Sequence, residues 1–315
     1  MNVSLVICTK DRPYYLDKTL ANIFLHENKL KQVIIIDASK DNKTQEIVEN
    51  FRRKNHTHII YKHCNPGLPK QKNLGIEIAF NSNINLDAIT FLDDDILVKP
   101  DYFLQLQSFI VENPTWTAFT GVSLTNKRVK TSTARRLFYL DSKKDASILK
   151  SGICTPIYSD TKVSTAEWMP GASMTINPQI LQYVKFNESM PIYYEDTEMS
   201  IRLNQHGPLQ ICHAMNYEHS EALIGHESRK DVTAFSDGVR WVVSKNSNNK
   251  IKKHWILWSV LGSSLKALID LVLFTKNESK KEILFGHLTF IFRLTLRQNL
   301  ISVNKNHEQK HKKHE

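Results

Sequence analysis

Four short apolar runs in the first third of the chain alternate with stretches whose apolar residues recur at helical spacing, and this alternation constrains the fold more than any other feature. VSLVIC at residues 3–8 reads as a buried strand, and VIIID at 33–37, HIIYKH at 58–63 and AITFL at 88–92 read as the next three strands. Between them, a helix led by Pro13 carries Leu16, Leu20, Ile23 and Phe24 on one face. Asp41 precedes a second helix with Ile47, Val48 and Phe51, and the Gly67-Leu68-Pro69 turn opens a third through Leu74, Ile76 and Ile78. The order βαβαβαβ predicts an α/β fold, a mostly parallel sheet with helices on both faces. In such sheets ligands collect at the carboxyl ends of the strands, and polar residues cluster there at 9–12, 37–41 and 93–95.

Two acidic groups carry chemistry. ITFLDDDILVKP sets Asp93, Asp94 and Asp95 at the mouth of an apolar strand, where like charges repel unless a cation holds them. A divalent metal (Mn or Mg) with oxygen ligands, itself bridging two phosphates, answers that repulsion. An acidic turn that merely ends the strand is the alternative. In YYEDTEMSIRLNQHG, Glu195 and Asp196 open a helix whose apolar face runs through Met199, Ile201 and Leu203. Acids there either complement the helix dipole or supply a base for an acceptor hydroxyl.

Six segments in order, VSLVICTKDRPYYLDKTLANI, VIIIDASKDNKT, GLPKQKNLGI, ITFLDDDI, PGASMTIN and YYEDTEMSIRLNQHG, resemble the family 2 glycosyltransferases with the GT-A fold over residues 1–245. The resemblance implies an inverting, DxD-containing enzyme that moves a sugar from a nucleoside-diphosphate donor to a hydroxyl of a glycan or lipid-linked acceptor, in bacterial surface polysaccharide synthesis. It implies Thr9, Asp11, Arg12, Asp37, Lys72, Asp93 and Gly171 at the donor, with Lys72 where the family has an arginine. It further implies Asp93 and Asp95 on the metal, and Asp196 as base with Glu195 beside it. His219 in YEHS follows the last core strand, where relatives complete the metal or phosphate shell with histidine, and His226 is its rival.

Scattered Cys8, Cys64, Cys154 and Cys212 fit a reducing cytosol, and with charge following directly on the first apolar run the enzyme is expected in the cytoplasm. The net charge of +10 is concentrated at the end. Residues 250–315 hold thirteen Lys and Arg against five Asp and Glu, which argues for a basic attachment region and against nucleic acid as a partner. WILWSVLGSSLKALIDLVLF at 255–274 lines Ser259, Ser263, Lys266 and Asp270 along one narrow helical face, and a second helix to Ile301 carries Thr289, Arg293 and Arg297. The expected organisation is a GT-A domain over 1–249, a basic amphipathic helical extension over 250–301 and a disordered His/Lys-rich tail over 302–315. The extension is expected to lie peripherally on the inner face of the cell membrane, with packing on the protein or a homodimer contact as alternatives. Other classes are a sugar nucleotidyltransferase, against which TKDRPYY lacks a glycine-rich loop, and a non-catalytic membrane or nucleic-acid adaptor on a degenerate transferase domain.

Overall fold

The computed structural model describes residues 1–26, 30–55, 57–82, 84–128, 131–190, 193–220, 229–273, 278–296 and 300; His226, Arg297 and residues 301–315 lie outside them. The chain forms two compact units, one of residues 1–130, 143–147 and 154–222, the other of 131–142, 148–153 and 223–315.

The first unit opens as the alternation predicts: β1 (Val3–Thr9), α1 (Pro13–His26), β2 (Leu30–Asp37), α2 (Lys43–Lys54), β3 (His58–His63), α3 (Leu68–Asn81) and β4 (Ala88–Asp93). It continues with β5 (Ile96–Val98), α4 (Tyr102–Glu112) and β6 (Ala118–Ser123). After α5 (Thr133–Leu137), which belongs to the second unit, come β7 (Thr165–Ala166), β8 (Ser173–Ile176), α6 (Pro178–Leu181), α7 (Glu195–Leu203) and β9 (Leu209–His219). The sheet order is β3-β2-β1-β4-β8-β6-β9-β5, with β7 also on β9. β1 to β4 are mutually parallel, whereas β8 runs antiparallel between β4 and β6.

Successive side chains of β1 serve opposite faces, as the pleat requires. Leu5 and Ile7 join Leu16, Leu20 and Tyr102 in one core layer, while Val6 joins Ile76, Met199 and Leu203 in the other. α3 sits close on the sheet at Gly75, where an added Cβ would lie 2.4 Å from Val6 Cγ1. The parallel register sets Thr9 beside Asp37 and Cys8 beside Asp93. The polar residues of three strands therefore meet at one end of the sheet.

The second unit contains α5, α8 (Arg229–Val243), α9 (Lys253–Leu273) and α10 (Glu278–Thr295). Gly262 admits the Phe138 ring, which a Cβ would meet at 2.1 Å, and Trp258 stacks on that ring while its indole N–H donates to Leu137 O. The first two members of the polar stripe on α9 point into the unit. Ser259 is fully buried and accepts from Arg240 Nη1 at 3.0 Å, and Ser263 Oγ lies 2.9 Å from His287 Nε2. His287 Nδ1 in turn lies 2.6 Å from Asp237 Oδ2, and Asp237 is paired with Arg240. The pattern of the helix was legible; which face it turns inward was not.

Candidate active site

The turn between β4 and β5 presents the three aspartates in three different settings. Asp94 is buried and immobilised: Thr9 Oγ1 donates to its Oδ2 at 2.6 Å, Arg12 Nη1 lies 2.9 Å from its Oδ1, and Thr19 donates to its backbone carbonyl. Burial, offset in part by Arg12 and Thr9, pushes its carboxyl up to about 7. Asp93 and Asp95 flank it and converge with His219, so that one ligand atom from each lies within 4.8 Å of the others. The register explains the histidine, because β5 pairs antiparallel with β9 and places Ile96 opposite His219.

A cation fits this group. Asp95 Oδ1 is buried and accepts no hydrogen bond; His219 Nε2 stands 3.1 Å away, an ion-pair contact without hydrogen-bond alignment. A buried carboxylate oxygen left so is costly, and a metal ion is the partner that would satisfy it. Burial raises Asp95, but His219 and then Arg12, whose Nη2 lies 2.5 Å from Oδ2, hold it below the usual carboxylate range. The contact with Asp95 raises His219 against its burial. Asp93 moves upward, chiefly through burial, with Lys72 opposing.

The donor candidates of β1 and β2 lie at the same sheet end. Asp11 has a left-handed backbone (φ 56°), its N–H donates to Ser39 Oγ at 2.8 Å, and its carboxylate accepts from Lys40 N–H at 3.0 Å. Asp37 is fully buried and accepts from Tyr61 Oη and from Ser39 N–H, both at 2.8 Å. Tyr61, Ser39 and His63, whose ring nitrogen contacts Ser39 O, went unread in the sequence. The outward positions of a strand that ends in polar residues were the available signal.

The second acidic pair is split by environment. Glu195 is buried and accepts from Lys72 Nζ at 3.1 Å, and Lys72, itself only 2% exposed, also lies over the Phe186 ring. Lys72 is thus paired with Glu195, and Glu195, Asp93 and Asp196 together raise its pKa in spite of burial. Asp196 is partly open to solvent. Its Oδ2 accepts from Gly171 N–H at 3.1 Å and its Oδ1 from Thr197 N–H at 2.6 Å. Desolvation, then the charge of Glu195, pushes it up to about 6. A side chain at Gly171 would crowd this junction, since its Cβ would stand 3.0 Å from Lys72 Nζ and 3.4 Å from Glu195 Oε1. Tyr193 and Tyr194 enter α7 with φ of 77° and 63°, a conformation that costs energy in non-glycine residues and concentrates at functional sites.

Residues 4–159 match the model of the glycosyl transferase family 2. A curated relative, an uncharacterized glycosyltransferase of Acanthamoeba polyphaga mimivirus, is 23% identical over 178 residues, which are 56% of this chain; the chain spans 59% of that relative's length. Among solved structures, residues 1–349 of S. aureus TarS superpose with a TM-score of 0.53 at 14% identity, covering 92% of this chain and 81% of the other. The Pyrobaculum calidifontis mannosyltransferase PcManGT, solved with GDP-Man and Mn2+, superposes with a TM-score of 0.58 at 11% identity, covering 92% and 87%. Residues 4–159, which include the strand that ends in Asp93, thus belong to the family 2 glycosyltransferases, and the fold is the GT-A fold.

Proposed function

We propose that this chain transfers a sugar from a nucleoside-diphosphate donor to an acceptor hydroxyl by a single in-line displacement that inverts the anomeric carbon. The observation that carries this reading is one centre with two unlike carboxylate sites: an Asp93–Asp95–His219 group with an orphaned oxygen, and a desolvated but accessible Asp196 beside Gly171. A divalent metal held by Asp93, Asp95 and His219 would offset charge on the departing diphosphate. Thr9, Asp11, Arg12 and Asp37 form the donor side, where the half-buried Arg12 guanidinium contacts Asp94 and Asp95. With its pKa near the working pH and two backbone N–H groups fixing its aim, Asp196 takes the proton of the incoming hydroxyl. Glu195 and Lys72 neutralise each other and hold the entrance to α7, so Glu195 acts as a positioning residue. No covalent nucleophile is required.

The acceptor proposed is a glycan or a lipid-linked glycan in bacterial surface polysaccharide assembly. The enzyme is read as cytoplasmic and peripheral on the membrane; the exposed apolar side chains of α9 and α10 support the peripheral part of that reading. The test is a thermal-unfolding panel of nucleotide sugars with and without manganese, since a ligand of the folded state raises the midpoint with occupancy. NMR of the product's anomeric centre then follows with the donor that binds. Metal-dependent protection by one nucleotide sugar and an inverted product are expected. Protection by sugar 1-phosphate plus nucleoside triphosphate would instead indicate a nucleotidyltransferase.

A further inference from the structure

We propose that α9 and α10 form a monotopic seat on an anionic bilayer, with α9 lying along the lipid surface and not across it; this rests on the membrane-peripheral reading above. The supporting feature is an inverted helix pair. Ser259 and Ser263 are engaged inside by Arg240 and by the His287–Asp237 pair, together with buried Ile256, Val260 and Ala267, and the opposite face of α9 leaves a second apolar line outside. Leu261, Leu265, Leu268 and Val272 follow one another at i, i+4, i+7 and i+11, and all are exposed, Val272 to 76%. α10, which packs against α9, repeats the arrangement with Phe285, Leu288, Phe292 and Leu296, each more than half exposed. Two consecutive apolar stripes on one unit exceed the scattered apolar exposure of an ordinary soluble surface and mark an interface.

Charge selects the occupant. Exposed Lys252, Lys253 and His254 stand at the start of α9 and exposed Lys281 near the start of α10, so lysines border the stripes as an anionic lipid surface requires. A second copy of the chain would bring the same lysines to the interface. The mode of contact follows from a third feature. α9 is long and apolar enough to cross a bilayer. However, Lys266 Nζ bonds both oxygens of Asp270 at 3.1 Å, and Lys280 of α10 reaches Asp270 at 3.4 Å, so α9 carries an ion pair, joined by a third charge, away from its apolar stripe. Crossing would sink that cluster into hydrocarbon, whereas lying flat leaves it at the water side.

The experiment uses the full chain and vesicles of phosphatidylcholine with or without phosphatidylglycerol. Trp255 and Trp258 are unsuitable probes because they pack on Tyr139 and Phe138. Flotation with the anionic vesicles is expected, and the double variant Leu261→Glu/Leu265→Glu, whose altered side chains are exposed, should partition about tenfold less or weaker. Depth is read from Leu261→Trp and Val272→Trp, each against the parent protein, with lipids brominated near the carbonyls or near the chain ends. A flat helix gives stronger quenching by the shallow bromines at both positions. Deeper quenching at position 261 than at 272 would overturn the flat geometry while leaving membrane attachment standing. No flotation of the parent, with a dimer in sedimentation, would overturn both and assign the stripes to a second copy.

Discussion

Asp95 shows how much one side chain can reveal about the chemistry a site is built for. Its buried Oδ1 has no hydrogen bond, and it is flanked by Arg12 and His219. Asp95→Ala is expected to abolish manganese-dependent binding of a nucleoside diphosphate in calorimetric titration, while circular dichroism stays that of the parent. Asp196→Asn is expected to keep donor affinity and cut turnover by about two to four orders of magnitude. The parent's turnover should fall as pH drops through about 6, where Asp196 takes up its proton. Stability carries the opposite sign. A carboxyl raised from 3.8 to about 6 binds its proton more tightly in the folded state, so stability is full below the ordinary value and declines as pH rises through that window. The melting temperature of Asp196→Asn relative to the parent should therefore improve between pH 4 and pH 7, and an unchanged difference would remove Asp196 from that role. Runs of acids such as Asp93 to Asp95 are legible in a sequence because the signal is local. The Lys72–Glu195 pair was not, because the fold brings together residues from α3 and α7 that nothing in the linear pattern connects.

At the scale of elements, the order from β1 to β4 was legible because each strand holds an apolar run, short in the edge strand β3, and each helix keeps one apolar face. The stretch from 127 to 164 read as polar and aperiodic for a reason the structure supplies: it passes back and forth between two units, so no single core imposes a period on it. α9 was found in place, but the first half of its polar stripe, Ser259 and Ser263, points inward, since periodicity identifies the residues that share a face and not the side on which their partners stand. Close approach of elements is equally silent in sequence. Gly75→Ala on α3 places a methyl 2.4 Å from Val6 of β1 and should cost about 1–3 kcal/mol in denaturant unfolding. Lys72 lies one turn earlier on α3, so the same substitution is expected to lower turnover as well.

For the whole molecule, the assignable chemistry lies between Thr9 and His219, all in the first unit, while the exposed apolar stripes belong to the second. Ending the chain after Asn249 removes α9 and α10 but none of these site residues. Nucleoside diphosphate binding by calorimetry is expected to persist, and vesicle flotation to be lost. Because α8 then loses both helical neighbours, including the Trp241–Phe290 ring contact, the shortened chain should also self-associate more in light scattering. Loss of nucleotide binding on truncation would mean that the second unit supports the first. The pairing of β5 with β9 has a further consequence, for the time course of synthesis. Asp93 and Asp95 leave the ribosome early, yet the histidine that closes their ring belongs to the last strand of the sheet, opposite Ile96. A nascent chain therefore lacks the third member of this group until β9 docks. Contacts so distant along the chain are slow to form, so capture of the ion would be among the final events of folding and would seal the strand that made it possible.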